Sequence, residues 1–318
     1  MSRLVCGIAF PILLTLAITV GYVTNGIRSV EASRERVDPE KDPKAGEVRK
    51  FEIAPNVFMD FCYIPAGEGQ LGSPKAEQDY ITKEFHDGVR PDYLDDETEE
   101  KRGKFKMHEF WLGKYPVTQE EWKIVMGGNP SLFQPDGKGK DKLQKDKISE
   151  TSRFPVEQVS WSDCQKFVEM VNTRGGVVKV FGKAGQFALP HEDEWEYACR
   201  GGKGNKQAFY FGNELNGSQA NCDGNFPYGM DKKGTYKERT TEVGSYAKDW
   251  PHPWGLCDMH GNVWQWCENR YERSMTGRVV HGGSWISRAK SCRIANRSGI
   301  SPDDYFNDLG FRVCFRLD

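Results

Sequence analysis

The sequence predicts an α+β domain, loop-rich with few short helices and strands. Three observations predict it. Short alternating or apolar runs read as strands. Three helical patterns carry their own start and stop residues. After Gly202, glycine, asparagine and aromatic residues dominate, and no segment sustains helical periodicity.

Residues 4–23 follow Arg3 without a charge, a run of 20 residues that reads as an export signal or an N-terminal membrane anchor. Val30-Glu31-Ala32 resembles a small-residue cleavage site, so residues 1–32 are assigned to a signal peptide or anchor. Residues 33–50 are charged and poor in apolar side chains and read as a linker. Residues 51–318 form one domain, long enough for a substantial core. The expected location is extracytoplasmic, periplasmic or secreted, with membrane contact only through that anchor.

The first strand expected is 57–65, where Val57, Met59, Phe61 and Tyr63 alternate before the turn at Pro65-Ala66-Gly67. Residues 75–106 are charged and read as a long surface loop ending in the apolar Phe110-Trp111-Leu112-Gly113. Thr118-Gln119-Glu120-Glu121 has capping-box spacing, Trp122, Val125 and Met126 supply an apolar face, and Gly127-Gly128 stops the helix. A second helix is read with Ser162 as cap and Gln165 answering it, Cys164, Phe167, Val168 and Val171 inward, and Gly175-Gly176 at its end. The third follows Leu189-Pro190, has Glu192 and Glu194 in its first turn, where the helix dipole favours anions, and stops at Gly201-Gly202. Its inward face is Trp195, Ala198 and Cys199.

With 44 basic and 46 acidic residues the formal charge is −2, which gives no electrostatic case for nucleic acid. The lysine-rich runs 101–106 and 138–147 adjoin or contain acidic residues and read as solvated loops. Of nine cysteines eight lie after Phe51, without the regular spacing of a disulfide scaffold. The histidines His108, His191, His252, His260 and His281 lack metal-site spacing; His260 and His281 are weak candidates, and surface or core roles are the default.

Two segments stand out: residues 255–267, containing Asp258-Met-His-Gly-Asn-Val-Trp-Gln265, and residues 278–285, ending in Gly282-Gly-Ser-Trp285 and leading to Asp308-Leu-Gly-Phe-Arg312. With Tyr63-Ile-Pro-Ala-Gly67, Leu112-Gly-Lys-Tyr-Pro-Val-Thr-Gln119, Pro155-Val-Glu-Gln-Val-Ser-Trp161 and Leu189-Pro-His-Glu-Asp-Glu-Trp-Glu-Tyr-Ala-Cys199, the chain resembles the formylglycine-generating enzyme family, the sulfatase-modifying factors. The resemblance covers nearly the whole domain and implies a modified C-type-lectin-like fold. It implies calcium on Asp258, Gly261, Val263 and Gln265, a set of side-chain and carbonyl oxygens that suits the ion. The alternative is that Asp258 and Gln265 only satisfy loop backbone groups. A second family calcium would use Asn221 and the Cys222 carbonyl, with no evident carboxylate near residues 234–236.

The family's enzymes oxidise a substrate cysteine with O₂ and a copper ion held by two cysteines after the Gly-Gly-Ser-aromatic turn. Here the first of those positions holds Ser287, whose hydroxyl cannot replace a thiolate for cuprous copper. Cys292 falls on the second when counted forward and lies elsewhere when counted back from Asn296-Arg297-Ser298; both counts leave at most one thiol, so copper is not expected. A disulfide from Cys199 to Cys292 is one expectation for that thiol; a buried free thiol and a reactive nucleophile are the others. Ser284, Ser287, Cys292 and Trp264 are the pocket positions, and Arg312 is expected to knit loops together.

Members lacking the cysteine pair include exported proteins assigned to siderophore maturation. The expected function is therefore maturation or oxidative modification of an exported protein or peptide by a chemistry other than the two-cysteine copper mechanism. The alternative is a non-catalytic lectin-like binding module, in which surface aromatics such as Tyr228, Trp250 and Trp254 would make contact.

Overall fold

The computed structural model describes residues 42–202 and 204–318. The apolar run at 4–23 and the first part of the charged stretch lie outside the described residues. The chain enters through β1 (Val48–Ala54) and β2 (Val57–Ile64), an antiparallel pair. Asn56 sits in their turn at φ 64°, a conformation asparagine tolerates. The domain thus opens one strand before the alternation at 57–65, and β1 takes up the last residues of the stretch read as linker. Only Phe51 and Ile53 mark β1 as inward-facing in a run of charges, too short a pattern to separate it from a linker.

The stretch 75–106 holds four elements where a loop was expected: α1 (Lys75–Phe85), a 3-10 turn (Asp92–Glu97), α2 (Glu99–Arg102) and β4 (Lys104–Met107), which pairs with β3 (Gly67–Gln70). Their anchor is charged and remote. Buried Arg293 reaches Glu77 at 2.5 Å and Glu97 at 2.8 Å, so carboxylates share the inward positions with Ile81 and Leu94 and blur the apolar pattern an amphipathic helix would show.

β5 (Phe110–Gly113) leads to α3 (Gln119–Met126), whose capping box is as expected: the Glu121 amide donates to Thr118 Oγ1 and the Thr118 amide to the Glu121 carboxylate. A short helix, α4 (Lys140–Lys145), occupies part of the second lysine run. α5 (Trp161–Asn172) begins two residues earlier than read, with Ser160 as cap and Asp163 answering it. Ser160 forms the capping box first, which leaves Ser162 inside the helix; Cys164, Phe167, Val168 and Val171 face the core as expected. α6 (Val177–Phe181) and β6 (Gly185–Ala188) precede α7 (Glu192–Arg200), which starts after Pro190 and ends at Gly201 in the left-handed conformation. From 201 to 263 the described chain forms turns and isolated bridges, without a helix or a ladder strand. The last strands are β7 (Trp264–Arg270), β8 (Arg278–His281), β9 (Arg297–Ile300), β10 (Leu309–Phe311) and β11 (Cys314–Leu317).

Two sheets organise the domain: β1-β2-β5-β11-β6, all antiparallel, and β10-β7-β8-β9, in which only β10 and β7 run parallel. The main core joins them through aromatic contacts, with Phe181 stacked on Phe315 at 4.2 Å and Trp122 on Phe167 at 5.6 Å. The parallel pair brings together two of the motif segments. Pairing Leu309 with Trp264 brings Asp308 beside the 258–265 loop, and the Trp264 amide donates to the Asp308 carbonyl at 2.8 Å.

Candidate functional site

Gly282 and Gly283 both have positive φ, 94° and 70°, and turn the chain sharply after β8. That turn presents Ser284. Its hydroxyl donates to Asp308 Oδ2 at 2.7 Å and lies 3.0 Å from Ser287 Oγ, which also accepts from the Ser284 amide at 3.0 Å. Ser284 is buried, while Ser287, Trp264 and Asp308 are partly exposed. Burial raises the Asp308 carboxyl above its ordinary value, against the lowering effect of the Ser284 hydroxyl. Behind it lies Glu157, buried, with Oε1 accepting from the Phe133 amide at 2.9 Å and Oε2 without a partner. Burial pushes the Glu157 carboxyl up to about 8, so it is largely protonated at neutral pH. The sequence placed Glu157 and Asp308 inside family motifs but gave no sign that they share one site.

Around this hydroxyl–carboxylate chain Ile286, Tyr305 and Phe306 are exposed, on the two loops that the Ser284–Asp308 bond ties together. The aromatics singled out for contact behave otherwise. Tyr228 and Trp254 are buried, and Tyr228 stacks on Phe85, because the loop half of the domain uses its aromatics as core. Trp250 is partly exposed.

Cys292 lies under the Ser284 turn but faces inward. Its thiol is fully buried, with Sγ 3.9 Å from the Arg288 carbonyl; the neighbouring Cys222 and burial hold it well above the ordinary thiol range. The expected pairing with Cys199 is not formed. The His260 ring stands between them, 3.8 Å from Cys199 Sγ through Nε2 and 2.7 Å from the Cys292 carbonyl through Nδ1. Because the Tyr210 amide donates to Nε2, Nδ1 carries the proton, and burial lowers the ring to about 3, a neutral core histidine. His281 is likewise core, stacked on Trp195 at 4.7 Å. The family's copper centre needs two accessible thiolates. This site offers a serine at 287 and an enclosed thiol at 292, so these residues do not fit it.

The inner contacts of the 258–265 loop, on which the resemblance implied calcium, are made by protein groups. Gln265 Oε1 accepts from Trp195 Nε1 at 2.8 Å and Arg312 Nε at 2.6 Å, and Gln265 Nε2 donates to the Asp258 carbonyl at 2.7 Å. Asp258 Oδ2 accepts from the Gly244 amide at 2.6 Å, and the Gly261 carbonyl accepts from Val263 at 2.9 Å. Burial raises the Asp258 carboxyl to about 6. Arg312, fully buried, also donates to the Gly113 and Cys257 carbonyls at 2.7 Å, which is the knitting role expected of it. A calcium ligand at Gln265 would have to release an oxygen already shared by two donors, so the four residues as arranged do not fit the ion. At the second position Asn221 Oδ1 is buried and unpartnered, but its Nδ2 is spent on Arg239 and Asn262. Among the described residues no group of three or more His, Cys, Asp or Glu side chains could hold a metal.

The scaffold is of the C-type-lectin-like class, with a Gly-Gly-Ser-Trp turn over a loop knit together by Arg312. This chain belongs to the family with the sulfatase-modifying factor enzyme 1-like domain, which matches residues 49–317. It is 32% identical over 211 residues to the "Inactive C-alpha-formylglycine-generating enzyme 2" of Bos taurus, covering 64% of this chain and 58% of that protein. It is 31% identical over 193 residues to the "Formylglycine-generating enzyme" of Streptomyces coelicolor, covering 54% and 55%. The chain therefore spans little more than half the length of these relatives. PvdO from Pseudomonas aeruginosa superposes with a TM-score of 0.61 at 21% identity, over 87% of this chain and all of that one. Treponema denticola variable protein 1 gives 0.59 at 23%, over 85% and 99%. These two establish the fold.

Proposed function

We propose that this chain is an extracytoplasmic binding member of its family, engaging a protein or peptide at the Ser284–Ser287–Asp308 face without the two-cysteine copper chemistry. One observation carries this. Ser287 stands where a thiolate ligand would be needed, and its hydroxyl is tied into the Ser284–Asp308 chain, while Cys292 is closed off beneath it. The exposed Ile286, Tyr305 and Phe306 beside polar groups have the make-up of a contact surface, where aromatic side chains carry much of the binding. The name of the Bos taurus relative, which calls that protein inactive, agrees with this reading. The location rests on the uncharged run at 4–23.

A modifying activity by other chemistry is favoured by one feature: the chain Ser287–Ser284–Asp308 could pass a proton from an accessible hydroxyl to a carboxylate. One experiment separates the readings. The purified protein is incubated with Cu(I), O₂ and a Cys-x-Pro-x-Arg peptide, and peptide and protein masses are read before and after. The expected result is no aldehyde and no mass change, with an immobilised protein partner retained by the wild type and lost when Tyr305 and Phe306 are both changed to serine. Aldehyde formation overturns the reading, and an adduct on Ser287 replaces it with the modifying one.

A further inference from the structure

We propose that Cys222 and Cys292 form a disulfide when the protein folds under oxidising conditions, pinning the Ser284–Ser287 turn to the segment around Asp223. Both side chains are fully buried in one cluster with Phe209, Ala220 and Ala289. Cys222 is the neighbour that most raises the Cys292 thiol, and Cys292 Sγ itself lies 3.9 Å from the carbonyl of Arg288, the residue that bridges to Asp223. The backbones that carry them are already joined: the Asp223 amide donates to the Ser287 carbonyl at 2.9 Å, the Ala289 amide to the Phe226 carbonyl at 3.2 Å, and Asp223 bridges to Arg288. Closing the bond therefore needs little movement of main chain, the usual obstacle to a cross-link between distant segments.

The other described cysteines are placed differently. Cys199 faces His260, Cys314 Sγ lies 3.4 Å from the Ala188 carbonyl, and Cys267 Sγ lies 4.0 Å from the Gln265 carbonyl. Cys257 is near enough to Cys62 to raise its thiol, but Cys257 Sγ is directed to the Gly255 carbonyl at 3.7 Å. Gly283 shows how closely the turn sits on the pair, since a Cβ there would lie 2.5 Å from Cys292 Sγ.

The oxidant is a disulfide, either of a small thiol such as glutathione or of an exchange protein. One cysteine thiolate attacks it, breaking its S–S bond and releasing one thiol in a mixed disulfide. The second cysteine thiolate then displaces the remaining thiol. Two protein S–H bonds are lost, one protein S–S bond forms, and the two electrons and two protons leave on the reduced oxidant. The finished domain encloses both sulfurs, so the exchange belongs to folding, before the cluster closes.

The test is to unfold and reduce the full chain, refold it in a reduced/oxidised glutathione buffer, alkylate the remaining thiols and map peptides without reductant. A Cys222–Cys292 linked peptide is expected, with an unfolding midpoint on the order of 10 °C above that of the protein refolded in reductant. Cys222→Ala and Cys292→Ala should each abolish that difference; should either fail to fold, the comparison of oxidised and reduced wild type still decides. Folded protein with both thiols alkylated, a link from Cys292 to another cysteine, or Cu(I) bound to both sulfurs after purification overturns the proposal. The outcome is independent of what the Ser284 face binds.

Discussion

Replacing Arg293 by methionine should destabilise the domain more than any surface change, and by an amount that depends on pH. Arg293 is buried, with its guanidinium shared between Glu77 and Glu97 and its Nε on the Lys290 carbonyl at 2.8 Å. Burial holds the Glu97 carboxyl above its usual range even with the guanidinium present. Without it the cheapest response is protonation, which for a carboxyl of ordinary pKa costs at most about 4 kcal/mol at about pH 7.5 and about 1.5 kcal/mol at about pH 5.5, upper limits because Glu97 is already raised in the wild type. The first figure lies within the roughly 3–5 kcal/mol expected for breaking a buried ion pair from one side. In the variant, Glu97 has a folded-state pKa above its unfolded one, so its unfavourable contribution shrinks as pH falls. Urea unfolding of wild type and variant at the two pH values, compared by linear extrapolation, measures both numbers. A loss below about 1 kcal/mol, equal at both pH values, would refute the claim that this charge anchors the 75–106 region and the residue after Cys292.

Three further outcomes follow from the site. Gly283→Ala should cost more than about 2 kcal/mol, because its φ of 70° is unfavourable for alanine and the new Cβ meets Cys292; thermal unfolding reads it. Glu157 has a folded value near 8 against an ordinary 4.5, so its contribution is fully present below about 4.5 and is lost as pH rises to about 8. Glu157→Gln should flatten the stability profile in that window, and an unchanged profile would show that the carboxyl is ionised throughout. Adding millimolar calcium or a chelator should shift the thermal midpoint by less than about 1 °C, whereas an ion bound at about 100 times its Kd would add about 2.7 kcal/mol and several degrees.

The helices show how far local pattern reaches. Thr118 with Glu121, and the acidic turn after Pro190, were readable because a capping box is a contact between residues three apart. Even there, α5 began at Ser160 because two serines competed for one cap. α1 was not readable, since its inward face mixes Glu77 and Gln78 with Ile81, and the partner of Glu77, Arg293, lies far along the chain.

The sequence by itself determined the family, the loop-rich half and the loss of a thiolate at 287, because motif order and residue identity need no coordinates. It also offered Asp258, Gly261, Val263 and Gln265 as one loop, since they lie within eight residues. Only the tertiary structure decided that Gln265 serves Arg312 and Trp195, that Cys292 meets Cys222 and not Cys199, and that Glu157 backs Asp308. Each of those is a pairing between segments many residues apart, fixed by the parallel β7–β10 register and by aromatic packing that no local spacing encodes.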